Sequence, residues 1–152
     1  MLTKLKKSVP FSQRLNDFII SKTENLKYEL INEEYDYDYL YNYYIDSNRF
    51  IINSNNNDNN IFGDSKINIL FRVWHDKIHF ENNYKFDLKG ELQCYLKHIV
   101  ELPKDFELEK KLLFAEIVGQ TLFFEENNRF PDNQREFTIK FLKDNNLQWQ
   151  NF

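Results

Sequence analysis

The chain carries one cysteine, three prolines and three glycines in 152 residues. A single thiol, Cys94, excludes an intramolecular disulfide framework and any zinc site made of cysteine alone, and it suits a reducing compartment. So little proline and glycine argues against turn-rich all-β folds, collagen-like repeats and linkers. Apolar runs fall far short of the roughly 18 residues that a membrane helix needs. Excess positive charge is missing as well. The net charge is −4, so the chain as a whole exerts no pull on nucleic acid or anionic lipid. The start, Met1-Leu2-Thr3-Lys4-Leu5-Lys6-Lys7, is basic but lacks the apolar stretch of a secretory signal. A Gly-rich phosphate loop, a nucleophile elbow, a dinucleotide fingerprint and an internal repeat are all absent.

What is present is aromatic surface. Aromatics make up 17% and hydrophobic residues 41% of the chain, enough to offset chain entropy and to exclude a disordered protein. The length is that of one domain with a core of its own. The expectation is an all-α, single-domain antiparallel bundle of five to six helices in the cytoplasm, with no membrane or nucleic-acid partner. Its expected partner is a small molecule or another protein.

Three parts follow one another: an aromatic and acidic part (1–52), an Asn-rich loop (53–60) and a helical core (61–152). In the first part Ser12 can cap a helix carrying Leu15, Phe18, Ile19 and Leu26. A second helix is read across Leu30, Ile31, Tyr35, Tyr39, Leu40, Tyr43 and Tyr44, although Tyr35 to Tyr39 alternates like a strand. Its tyrosines suit packing or a protein interface better than base stacking, because the carboxylates around them repel phosphate. The tract Asn53 to Asn60 reads as a flexible, solvated connector, since asparagine competes with helix and sheet through its own side chain.

Helical signals strengthen after the loop. Asp64 or Ser65 caps a helix to about Phe80, with Ile67, Leu70, Phe71, Trp74 and Ile78 three and four apart. Asp87 caps a helix from Leu88 to Leu102, which Pro103 ends. Asp105 caps the next helix, to about Glu126, and Asp132 begins the last, through Lys143. Short links between them indicate antiparallel packing.

Two of the three histidines, His75 and His79, lie four apart and therefore on one helix face, where both imidazoles can converge on one ion. They border the apolar stripe of Phe71. The six-residue link after this helix folds the next one back, so that Glu91 becomes the natural third ligand of a two-His-one-carboxylate set. Gly90 beside it allows close backbone approach. The bland reading is that Glu91 merely favours a helix N-terminus. Asp76 stands where a zinc metalloprotease motif carries its catalytic glutamate, though its shorter side chain does not by itself imply protease activity.

Glu116 and Gln120 share a face in a very apolar stretch, Phe114 to Phe124. A buried carboxylate there needs a partner. Glu116 can be a fourth ligand, an orienter of His75 or His79, a general acid/base, or half of an ion pair with Arg72 or Arg129. Cys94 reads as a small core residue ahead of a thiolate ligand. His98, seven residues after Glu91 on the same face, could be a further ligand, but its neighbours Lys97 and Glu101 suggest a helix edge.

His75-Asp76-Lys77-Ile78-His79, eleven further residues and then Glu91 resemble the HDxxH-x11-E metal motif of the coenzyme Q biosynthesis family. The resemblance spans 17 positions. It implies a helical setting and zinc or another divalent metal; that family's chemistry on the ubiquinone ring does not carry over. A broader pattern, His75 to His79, then Phe86 to Glu91, then Glu116 to Gln120, is similar to small bacteriophage proteins of unassigned activity. The Asn, Lys, Ile, Tyr and Phe usage is also that of an AT-rich genome.

Two functions stand as expectations. One is a divalent-metal protein, hydrolase-like and of phage origin, with zinc favoured over iron or manganese. It has His75, His79 and Glu91 as ligands, Asp76 or Glu116 as base, and Gln120 supporting. The other is a non-enzymatic virion or host-interaction protein of the anti-defence kind, in which the same residues form a structural polar network.

Overall fold

The computed structural model describes residues 9–146. The basic start at 1–8 and the tail at 147–152 lie outside the described residues. Six helices and two short strands make up the rest. They are α1 (Gln13–Thr23), β1 (Tyr28–Ile31), α2 (Tyr37–Ser47), β2 (Phe50–Asn53), α3 (Ser65–Asn82), α4 (Leu88–Glu101), α5 (107–127) and α6 (Gln134–Asp144). Within α5 the α-helical turns Glu107–Leu113 and Gln120–Asn127 flank a π-helical segment, Phe114–Gly119.

The helices start where short polar side chains can accept from free backbone N–H groups. Ser12, Asp36, Asp64, Asp87 and Asn133 do so ahead of α1, α2, α3, α4 and α6. Two expected caps are displaced. Asn133 rather than Asp132 opens α6, and α5 begins after Phe106 with no side-chain cap from Asp105. Asp105 instead spends its carbonyl on Arg14 and on the Glu107 N–H.

The expected second helix is only partly helical. Leu30 and Ile31 belong to β1, and the helix proper begins at Tyr37. Leu26 lies beyond the end of α1. The strands pair in parallel, Tyr28 opposite Phe50 and Ile31 opposite Asn53, with α2 as the crossover. In β2, Phe50 and Ile52 point inward and alternate with half-buried Ile51 and Asn53, as one buried sheet face requires.

The Asn-rich tract is a surface loop, with Asn55, Asn56 and Asp58 exposed, but it is anchored to the core. The Arg72 guanidinium donates to the carbonyls of Asn53, Asn55 and Asn56 at 2.6, 3.0 and 3.0 Å. Asn68 donates to the Asn57 side chain, and Asn60 is buried, accepting from the Phe62 N–H. Side chains of α3 thus satisfy several of the loop's backbone carbonyls and the Asn57 side chain.

Helix α3 is the centre of the fold, buried on two sides. Phe71, Trp74 and Ile78 pack with residues of α1, α5 and α6. Ile69, Val73 and Phe80 pack with Tyr37, Phe50 and Ile52. A third strip, His75 and His79, faces α4. The link between α3 and α4 is closed by Asn83, whose φ of 54° is left-handed. Asn83 and Tyr84 both donate their N–H to the His79 carbonyl, a helix stop that reverses the chain. Lys85 then passes so close to α4 that a Cβ at Gly90 would overlap the Lys85 carbonyl oxygen.

Gly90→Ala is therefore expected to cost about 3 kcal/mol or more, because backbone has to move. Gly119→Ala should cost less, since a Cβ there would meet only the Phe141 ring at 3.1–3.2 Å. Urea unfolding of both variants checks this, and a neutral Gly90→Ala would contradict it.

Candidate metal centre

Helices α3 and α4 run antiparallel, which sets His79 and His75 against the first turns of α4. His75 Nε2 lies 2.8 Å from Glu91 Oε2, His79 Nε2 lies 3.0 Å from Glu91 Oε1, and the two Nε2 atoms are 3.0 Å apart. Cys94, one turn further along α4, adds its sulfur: a ligand atom from each of His75, His79 and Cys94 lies within 4.8 Å of the others. His79 and Cys94 are fully buried. The His75 and Glu91 side chains are each 16% exposed, so the cluster reaches solvent along that edge alone.

The rings are fixed from behind. His79 Nδ1 donates to the Tyr84 carbonyl at 2.7 Å. A carbonyl only accepts, so a proton sits on Nδ1 and Nε2 is the ring atom left facing Glu91, where a second proton or an ion can lie between them. His75 Nδ1 lies 2.9 Å from His98 Nε2. His98 is not at a helix edge: it is fully buried, packed edge-on at 4.1 Å against Trp74 and stacked on His75. Its own Nδ1 has no hydrogen-bond partner among the described residues.

Electrostatics follow from this crowding. Burial raises the Glu91 pKa, but His75 and His79 outweigh it and hold the carboxylate below its ordinary range. Burial disfavours the His79 cation, yet Cys94 and Glu91 hydrogen-bond and charge-stabilise it, and its pKa rises. Burial pushes the Cys94 thiol up. His98 falls well below its ordinary value, first through burial and then through the neighbouring histidines.

Three lone-pair donors that face one another need something positive between them. A proton serves, and so does a cation. Ligands of a tetrahedral ion at about 2.0–2.1 Å lie about 3.3 Å from one another, so these donors have to spread by about 0.3–0.5 Å. Two imidazoles, a carboxylate and a thiol form a set of borderline softness, which suits zinc or iron(II) better than magnesium or calcium. The residues present fit a divalent ion, and the His75, His79 and Cys94 group can hold one.

The other named residues stand apart. Asp76 feels the charges of His79, His75, Glu91 and Arg72, and burial lifts its pKa to about 6. Glu116, on the π segment, accepts from Gln120 Nε2 at 2.8 Å. Gln120 thus serves Glu116 and not the histidines. Burial raises the Glu116 pKa to about 7, and the opposing charge of Arg72 does not outweigh it. Two surface hollows, of about 280 and 260 Å³, are lined by no residue of the cluster.

Compared with protein-family models, curated proteins and solved structures, the chain matches none. No helix among the described residues is long and apolar enough to cross a membrane.

Glu116 generates a prediction about pH. Its folded pKa, about 7, lies above the ordinary 4.5, so folding favours the protonated carboxyl. The associated stability is complete below about pH 4.5 and is lost as pH rises through about 7. Glu116→Gln should therefore be roughly 1–3 kcal/mol more stable than the parent at pH 8, with the gap closing by pH 5. Urea unfolding at both pH values measures it; a gap that does not change with pH would contradict the assignment.

Proposed function

We propose that this is a divalent-metal protein whose centre joins His75 and His79 of α3 to Glu91 and Cys94 of α4, with zinc favoured and iron or manganese the other ions. The observation that carries the reading is that the His75 and His79 Nε2 atoms lie 3.0 Å apart, with one Glu91 oxygen 2.8 Å from the first and the other 3.0 Å from the second. The likeness to the HDxxH-x11-E motif and to small phage proteins agrees with it. A divalent ion at this place would polarise an oxygen-bearing reactant or lower the pKa of water.

The chain's own residues complete the hydrolase-like reading. Tyr84 and His98 hold the two rings in place from behind. His79 and Cys94 close the buried side, leaving reactants to approach over His75 and Glu91. Asp76 is the acid/base group that feels the charges of His75, His79 and Glu91, whereas Glu116 feels that of Arg72.

A second reading has its own observation. Separations of 2.8 and 3.0 Å are also hydrogen-bond lengths, so protons alone can bridge the cluster. It would then fix the α3–α4 register in a virion or host-interaction protein. The acidic first part, with Tyr35, Tyr39 and Ile45 exposed, would meet the partner.

Metal content by plasma mass spectrometry on untagged protein separates the two. The proposal predicts about one ion per chain in the parent, lost in His75→Ala and Glu91→Ala while the helical circular dichroism persists. Free zinc at 100 times its Kd should add about 2.7 kcal/mol to the parent's stability and nothing to the variants'. A metal-free parent that also ignores added zinc, iron and manganese would overturn it in favour of the second reading.

A further inference from the structure

Among the histidines, His98 is the one with no place in the ligand set, and its setting is costly. It is fully buried, yet its Nδ1 has no partner among the described residues. Phe71 stacks on it at 5.7 Å and Trp74 meets it edge-on at 4.1 Å. An aliphatic side chain would fill that apolar niche without burying two ring nitrogens, one of them unsatisfied. Packing therefore gives no reason for a histidine. Its single polar contact does: His98 Nε2 stands 2.9 Å from His75 Nδ1, with the two rings only 9° from parallel.

A histidine offers its Nε2 lone pair to an ion only when its proton sits on Nδ1. For His79 the Tyr84 carbonyl receives that proton's hydrogen bond. His75 has no carbonyl in the same position, and His98 Nε2 is the acceptor that faces its Nδ1. The two ligand rings are thus set by different devices, one a backbone group fixed by the α3–α4 link, the other a buried side chain one turn beyond Cys94.

We infer that His98 is a positioning residue of the metal centre, selecting the His75 tautomer and ring plane that present Nε2 to the ion. The inference rests on the metal reading above. His98 touches no ion and no reactant, and it acts through His75. The spacing Glu91, Cys94, His98 places two ligands and this support on one face of α4, so one helix carries both halves of the device.

The test is zinc affinity, measured by competition with a chromophoric chelator, for the parent, His98→Leu and His98→Gln. Leucine has a similar volume and no polar atom; glutamine keeps an oxygen that can accept from His75 Nδ1. The expected result is 10–100-fold weaker zinc binding in His98→Leu, as for other lost supports of ligand histidines. His98→Gln should recover most of that loss. The metal-free thermal midpoint of His98→Leu should equal or exceed the parent's, which separates positioning from packing. Parent-like zinc affinity in His98→Leu would overturn the inference, as would loss of the fold in both variants. A parent that binds no zinc would fail differently, taking the metal reading and the role of His98 together.

Discussion

Nitrogen and oxygen lone pairs repel at 3 Å unless a positive charge lies between them, and His75, His79 and Glu91 are held at that separation by two helices. The rest of the molecule can be understood as what keeps those helices there. Burial forbids the simple escape, in which the side chains swing into water. His79 and Cys94 have no exposed surface at all, and the His79 ring is pinned to a backbone carbonyl. A low-dielectric setting makes the unbridged cluster costly and the bridged one strong.

The hairpin achieves this with local means. Asn83 takes the left-handed conformation that stops α3, Asp87 restarts the chain as α4, and Gly90 lets the link cross the new helix at backbone contact. None of these residues donates to the cluster. Each fixes where Glu91 arrives relative to His79. Behind the hairpin, α3 is gripped on both flanks by separate apolar clusters, one from α1, α5 and α6 and one from the short parallel ribbon and α2. The register of His75 and His79 is therefore set by packing on the whole length of α3, not by the cluster itself. Arg72 extends the same helix's reach to the Asn-rich loop through three backbone carbonyls.

The helical core was legible because its signals are local. Apolar residues three and four apart and capping aspartates mark α3 and α4 within a residue or two, and the HxxxH spacing with Glu91 after a short link needs only a reversal to converge. The strands were not legible. Each has four residues, and their pairing joins positions more than twenty apart, which no local pattern encodes. The anchoring of the Asn-rich loop was hidden for a related reason: its partners Arg72, Asn68 and Arg135 are distant in the chain. His98 was misplaced by weighing its chain neighbours, Lys97 and Glu101, when the residues sharing its helix face are Glu91 and Cys94. That i, i+3, i+7 spacing was the available signal for Cys94 as well. The π segment that carries Glu116 had no signature beyond its glycine.

The central claim concerns the identity of the donor atoms, so the most direct measurement is zinc-edge X-ray absorption on the loaded protein. The account predicts one sulfur at about 2.3 Å and nitrogen or oxygen neighbours at about 2.0–2.1 Å, including the multiple-scattering pattern of two imidazoles. A shell of oxygens alone, with neither sulfur nor imidazole, would place zinc elsewhere on the surface and contradict the centre described for α3 and α4.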